Sequence, residues 1–486
     1  MNLAKRTFSG VLWHFAQQLV RRGINFVVTL LLAHYLLPTD FGIVAMMTVF
    51  LALGASLVDS GFKQALIRMQ SASQLDFNTA FYANLFLGLM AYIVLFILAP
   101  WIADFYAEPR LIKLIRVAGL NLPINAFLVV QSANMHRDLN FKIEMQTAIP
   151  AGVISSSVAV GLAMAGFGVW ALVAQMLLFS FCNTVFLWLK QGWRPSLSFG
   201  YDALRNMYGF GCKLFLAGVL DIVFKNIYII VIAKLFTSSI TGYYFFAEKV
   251  KDMVVNQLVS SIQTVTYPAL VNVHEDDVRL KAGYRKIISV TTFILFPVMA
   301  FLTALAQPVF ESLLPKQWLP AVFYLQILCI AGLITPINAI NQNLLKVKGR
   351  SDLYLVLEIF KKIIILIVFG ISIRYEMTGI LIGQIISSIV IYLLNSYFSA
   401  RLIDYPAWQQ VLDFLGSLFL SFFVAGISYI GVCYADWSPL VELLVFGSFS
   451  IVFYLFMAYF SKIYAFSLVI EMAHTYINKK NISNLK

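Results

Sequence analysis

Apolar residues in this chain run in long unbroken blocks, and neither the strict alternation of a half-buried strand nor a single apolar stripe dominates. About fourteen such blocks can be traced, each near the roughly 20 residues that a helix needs to cross a bilayer. They lie near 11–36, 41–60, 80–103, 111–135, 145–166, 168–189, 209–236, 242–270, 287–313, 319–345, 353–374, 377–400, 411–434 and 439–461. Pro, Gly and Asx residues punctuate the gaps, as at Pro38-Thr39-Asp40, Gly166-Phe167-Gly168 and Asp436-Trp437-Ser438-Pro439, which predicts tight helical hairpins. The pattern predicts an all-α integral membrane protein.

Composition removes the alternatives. Of 486 residues, 60% are hydrophobic and 12% charged, and the mean hydropathy is +0.83, too apolar for the surface of a water-soluble chain. The net charge of +12 comes without any basic tract that would follow a nucleic acid. It follows topology instead. With a cytoplasmic N-terminus, the inside connections hold Lys63, Arg68, Arg137, Lys142, Lys190, Arg194, Arg205, Arg279, Lys281, Arg285, Lys286, Lys346, Lys348, Arg350 and Arg401, and the tail holds Lys479, Lys480 and Lys486. The outside loops hold only Arg110, Lys113, Arg116, Lys316 and Arg374. Lys and Arg near span ends resist translocation, so both termini are expected in the cytoplasm and the span number is even. Lys5 and Arg6 precede an apolar run as in a secretory leader, but Gln17, Gln18, Arg21 and Arg22 interrupt it and no small-residue cleavage site follows, so it reads as a retained first helix.

A faint repeat divides the chain. Leu32-Ala33-His34 through Gly42 resembles Ile232-Ala233-Lys234 through Gly242, and Pro123-Ile124-Asn125-Ala126 recurs as Pro336-Ile337-Asn338-Ala339. The second pair continues with Asp138, Leu139 and Glu144 against Asp352, Leu353 and Glu358. Two six-helix halves pointing the same way are expected, as in transporters with parallel repeats. The expected division is an N-lobe over 1–206, a C-lobe over 207–400, and two further helices with a tail over 401–486.

No catalytic signature appears. Cys182, Cys212, Cys329 and Cys433 are far apart in apolar surroundings, no H-E-x-x-H occurs, and the absence of a Gly-Lys dipeptide excludes a Walker A loop. Neither a cofactor nor a metal is implied, and an enzyme is not expected.

The chemistry lies in polar residues inside spans, since an Arg, Lys or Asp at mid-helix costs roughly 2.5–3.5 kcal/mol on translocon scales. His14, Gln18, Arg21, Asn25 and Thr29 form a polar stripe at helical spacing, with Arg22 beside it. Lys213, Asp221 and Lys225 share a face of the seventh segment, and the eighth holds Glu248, Lys249, Lys251, Asp252, Asn256 and Gln257. One reading is a hydrated cavity for an anionic group. Arg21, Arg22, Lys213, Lys225 and Lys249 would bind a diphosphate, because Arg offers a planar bidentate fork and Lys a movable point charge. His14, Gln18, Asn25, Asn256 and Gln257 would line the cavity, and Asp221, Glu248 or Asp252 would couple the cycle to an ion. The bland account is that Asp221 pairs with Lys225, that Glu248 and Asp252 pair with Lys251 along one helix, and that the arginines pair between helices. Elsewhere, snorkelling is the simpler account for Asp59, Glu358, Lys361 and Lys362. The amides Asn121, Asn125, Gln131, Asn134, Asn338, Asn341, Gln342 and Asn343 most often bond helix to helix, with sugar contact the alternative.

Several stretches carry a family resemblance: LAHYLLPTDFGIVAM at 32–46, DSGFKQALI at 59–67, DFNTAFYAN at 76–84, FGVWALVAQ at 167–175, FGCKLFLAGVLD at 210–221, TYPAL at 266–270, FPVMA at 296–300, WLPAV at 318–322 and NQNLLKVKGRSDLYLVLEIFKK at 341–362. Together they resemble the polysaccharide flippases of the multidrug/oligosaccharidyl-lipid/polysaccharide exporter superfamily, of the colanic-acid and teichuronic-acid exporter type. The resemblance covers most of the first 400 residues, and the ensemble carries it. It implies two six-helix lobes in a V plus two C-terminal helices. It also implies transport of an undecaprenyl-diphosphate-linked oligosaccharide across the bacterial cytoplasmic (inner) membrane by alternating access, for exopolysaccharide or lipopolysaccharide synthesis, alongside a polymerase and glycosyltransferases. Three alternatives stand. A multidrug/cation antiporter of the same superfamily wants cavity acids, whereas here mid-span cations outnumber acids. A polymerase or ligase commonly carries a substantial outside loop, whereas every outside connection here is short. A non-transporting scaffold is the third.

Overall fold

The computed structural model describes residues 23–59, 61–69, 71–137, 141–271 and 273–471. Every element in them is helical, and nine stretches are long and apolar enough to cross a membrane. The chain is thus an all-α multi-pass membrane protein, as its hydropathy predicts. The chain separates into two compact units, Met1–Phe245 and Phe246–Lys486.

The first unit begins with α1 (Gly23–Tyr35) and α2 (Pro38–Asp59), followed by a short α3 (Phe62–Arg68). Next comes α4 (Gln74–Tyr106), which starts six residues before its apolar block because Ser73 and Asp76 form a reciprocal capping box that satisfies the first-turn N–H groups. The fourth predicted block is broken into α5 (Arg110–Ala118) and α6 (Asn121–Arg137), with the break just before Pro123. A tight hairpin joins α7 (Phe141–Met164) to α8 (Val169–Lys190) through Gly166 and Gly168, both at positive φ, where glycine escapes the Cβ clash. The small buried residues Ala148, Ala151, Ser155, Ala159 and Ala163 recur at helical spacing along α7, which permits the close backbone approach that drives helix association in lipid. The unit continues with α9 (Tyr201–Lys225) and α10 (Ile227–Leu235), separated at Asn226, and takes in the first turns of α11 (Ser238–Val271).

At its start α11 meets the start of α2. A methyl group built on Gly42 would overlap the carbonyl oxygen of Ser238, and one on Gly242 would overlap that of Pro38. These are the positions matched by the first sequence repeat, so its two copies pack reciprocally, backbone on backbone. The apolar core of the unit gathers Ile43, Met46 and Met47 of α2 with Ala99 of α4, Leu111 and Leu114 of α5 and Leu122 of α6.

The second unit is organised around α12 (Asp277–Ala304). After it come α13 (Ala306–Leu313), α14 (Ala321–Gly332), α15 (Thr335–Val347), α16 (Ser351–Ser372), α17 (Glu376–Ile403), α18 (Ala407–Tyr434) and α19 (Pro439–Phe460). The span made of α14 and α15 breaks just before Pro336, the counterpart of the break before Pro123, and Pro336 takes the first turn of α15, where its missing N–H costs nothing. The glycines spaced i,i+4 in α17, Gly379 and Gly383, press on Ser372 of the preceding hairpin. Against α12 and α18, α19 packs Tyr454 onto Phe293, with Ser428 and Ser450 hydrogen-bonded at 2.7 Å across the α18–α19 seam.

Candidate functional site

The sequence points to polar residues on the first, seventh and eighth segments. His14, Gln18, Arg21 and Arg22 lie outside the described residues. Asn25 is on α1, exposed, and its carbonyl accepts from Thr29 Oγ1 at 2.7 Å. On α9, Lys213 lies in the helix body, and Asp221 and Lys225 are both exposed near its end. Among the described residues no ion pair joins Asp221 to Lys225, although they stand at i,i+4. A cavity of about 540 Å³ opens beside this helix in the first unit. Its walls include Ser56 and Asp59 of α2, Gln64 of α3 and Gly218 of α9. The side chain missing at Gly218 leaves room, since a methyl there would sit 3.1 Å from Ser56 Oγ. Asp59, read from sequence as a snorkelling residue, thus borders the cavity.

In the second unit the polar positions fall on α11. Lys249 and Asn256 are exposed, and Glu248 and Gln257 are half-buried. Lys251 is not among the candidate diphosphate-binding residues, yet it is held most firmly. Its Nζ lies 2.8 Å from Asp252 Oδ1, its side chain is 16% exposed against 38% for Asp252, and Glu248 stands within electrostatic reach. Its methylene stem runs over Gly332 of α14, where an added methyl would meet it at 3.4 Å and the Met299 methyl of α12 at 2.8 Å. A lysine with a buried stem and a paired head is a structural cation. Lys249, two residues earlier and turned the other way, makes no ion pair among the described residues. Sequence alone sets Lys249 with the diphosphate candidates and Lys251 with Glu248 and Asp252; what holds Lys251 in place is Gly332, whose bare backbone admits the stem.

The arrangement therefore has two kinds of charge. Lys251, set between the two carboxylates Asp252 and Glu248, braces α11 against α12 and α14. Asn25, Asp221, Lys225, Lys249 and Asn256 are exposed on α1, α9 and α11, within the first, seventh and eighth hydropathy blocks, where a sealed dry environment would penalise them. Among the described residues no cluster of three or more His, Cys, Asp or Glu side chains is placed to hold a metal.

The fold defines an all-α, multi-pass membrane protein that leaves polar side chains exposed on α1, α9 and α11. The model of the polysaccharide biosynthesis protein family matches residues 31–323, more than half of the sequence, and the chain belongs to that family. It is 26% identical over 440 residues to the lipopolysaccharide biosynthesis protein WzxC of Escherichia coli (strain K12), covering 87% of this chain and 86% of that one. It is 25% identical over 334 residues to the succinoglycan biosynthesis transport protein ExoT of Rhizobium meliloti (strain 1021), covering 68% of each. Among solved structures, the lipid II flippase MurJ in an inward closed conformation superposes with a TM-score of 0.72 at 14% identity, over 92% of this chain and 99% of that one. An inward-facing multidrug resistance MATE transporter of the MOP superfamily gives 0.62 at 17% identity, over 79% and 96%. The chain shares the fold of these two structures.

Proposed function

We propose that this protein is a flippase that carries an undecaprenyl-diphosphate-linked oligosaccharide across the bacterial cytoplasmic membrane by alternating access, with both termini in the cytoplasm. The observation that carries this reading is the set of open, unsealed polar side chains on α1, α9 and α11 within a chain of the polysaccharide biosynthesis family. The substrate has an anionic diphosphate, a hydrated glycan and an apolar prenyl tail. Arg21 and Arg22, with Lys213, Lys225 and Lys249, supply cations for the first. Asn25, Asn256 and Gln257, with His14 and Gln18, supply hydrogen bonds for the second. The moving bodies are the sequence halves 1–206 and 207–400, and the helices of 401–486 flank the tail's route. Asp221, Glu248 and Asp252 are the groups whose protonation or cation binding resets the lobes, and the 38% exposure of the Asp252 side chain supports its access to ions.

The test is a double Arg21→Ala, Arg22→Ala variant checked for normal membrane abundance. Glycan export should fall to the level of a deletion strain, with lipid-linked units accumulating on the inner leaflet. Normal export refutes the role of the arginines; units trapped on the outer leaflet indicate a polymerisation step instead.

A further inference from the structure

At the end of the second unit that carries its basic connections, the starts of α12 and α18 and the residues after α19 enclose a pocket of about 580 Å³ that the transport reading does not use. Its polar lining is cationic and prearranged. Arg285 donates from Nε and Nη2 to Asp413 at 2.7 and 2.5 Å, and the Tyr405 hydroxyl donates to the same carboxylate at 2.5 Å. That side-on pairing fixes the guanidinium and occupies one edge of it. Nη1 carries no hydrogen bond among the described residues, and the Arg285 side chain is half exposed. Lys286 is exposed beside it, and Ser461 and Tyr464 bring two hydroxyl groups to the same pocket. Asp413 is already matched by Arg285, so Lys286 leaves the pocket net positive. Beyond the pocket, the exposed apolar residues Leu415 and Phe419 of α18 continue the same face into the spanning region.

From this we infer a binding site for an anionic phospholipid: its phosphate lies between the free edge of Arg285, Lys286 and the hydroxyls of Ser461 and Tyr464, and its acyl chains lie along α18. The chemistry is that of a phosphate group, which Arg and Lys take up by charge-assisted hydrogen bonds. The apolar continuation makes the lipid-borne form the occupant. The site shares no residue with the polar positions of α1, α9 and α11 and rests on none of them. It places the lipid against the ends of three helices, α12, α18 and α19, at the surface where juxtamembrane cations attract anionic lipid.

The full chain, purified and stripped of lipid in detergent, is titrated with dioleoylphosphatidylglycerol or dioleoylphosphatidylcholine, and bound lipid is counted by native mass spectrometry. The first phosphatidylglycerol should bind about tenfold more tightly than phosphatidylcholine, and Lys286→Gln should weaken it about fivefold, the effect of one lysine near the surface. Lys113→Gln, on α5, should leave it unchanged, as should excess soluble glycerophosphate. Equal binding of the two lipids, or a Lys286→Gln variant that binds as the parent does, overturns the site. Displacement by glycerophosphate as effective as by lipid overturns the lipid as occupant. Arg285 is left intact throughout, because its removal strands Asp413 and confounds folding with binding.

Discussion

In α15 of the second unit Asn341 stands five residues after Pro336; in α6 of the first unit the residue five after Pro123 is Leu128. The two spans break at matching places and carry the same Pro-Ile-Asn-Ala turn, yet their amides do different work. Asn341 is nearly fully buried and ties α15 to three other helices: Tyr284 Oη of α12 donates to its Oδ1 at 2.8 Å, Ser399 Oγ of α17 at 3.1 Å, and its Nδ2 donates to Gln410 of α18 at 3.0 Å. Gln410 passes the chain on to the Tyr405 carbonyl, and Tyr405 to Asp413 and Arg285. In the first unit the amides hold the connection 191–200 instead. Gln131 donates to the Trp193 carbonyl at 3.0 Å, and Asn78 of α4 donates to Ser196 and Ser198 at 2.6 and 2.7 Å. Deeper in α4, Asn84 is fully buried with neither amide atom partnered among the described residues. The lesson is that a conserved backbone turn does not dictate its polar partners: one unit uses amides to weld helices, the other to clamp a loop.

The largest effect expected from breaking this contrast is that of Asn341→Leu. It leaves the Tyr284 and Ser399 hydroxyls and Gln410 without their shared partner, and unsatisfied buried groups of this kind cost about 2–3 kcal/mol together. Denaturant unfolding in detergent micelles should show that loss, and an unchanged midpoint would mean the network is dispensable. Next comes Asp413→Asn, which removes the charge matched by Arg285 and is expected to cost about 1–2 kcal/mol, lowered by the half exposure of the arginine. Asn84→Leu should have the opposite sign and stabilise by about 1 kcal/mol, because a near-isosteric apolar group replaces an orphan amide. A loss of stability there would show that Asn84 has a partner that the contrast omits. Smallest is a pH effect at the opposite ends of the first unit's spans. The hydrogen-bonded Arg110 guanidinium, 2.8 Å from Glu108, holds that carboxyl below its ordinary value of 4.5. Its contribution is therefore present above about pH 4.5 and lost as the pH falls through the lowered value, and with Arg110 exposed it is under about 1 kcal/mol. Glu108→Gln should flatten that slope by lowering the neutral stability by the same small amount, under about 1 kcal/mol, and leave the stability at the acid end unchanged.

Much of the scaffold was legible because lipid imposes it. Spanning blocks, hairpin glycines and the recurring Pro-Ile-Asn-Ala turn are all written locally, and so is the capping pair Ser73 and Asp76 that starts α4 ahead of its apolar block. The interruption of the seventh block at Asn226 and of the ninth at Leu305 was not legible, since neither residue breaks a helix by itself and long-range packing sets both. Among site residues, sequence puts Lys249 with the diphosphate candidates and Lys251 in a pairing with Glu248 and Asp252 along one helix. Only the third dimension shows that Gly332 and Met299 receive one stem while the other faces out. The pairing of Asp413 with Arg285 spans 128 residues and two helices, and no periodicity reports such a partnership.

The reciprocal seat of Gly42 and Gly242 has a consequence for how the chain can vary. Each position accommodates a carbonyl of the other helix by having no side chain to withdraw, so neither can be rescued by trimming its counterpart, which is already as small as an amino acid can be. Helix ends that touch through main chain alone carry no rotamers to reorder when they part or return, and the register in which they meet is written in two absent atoms.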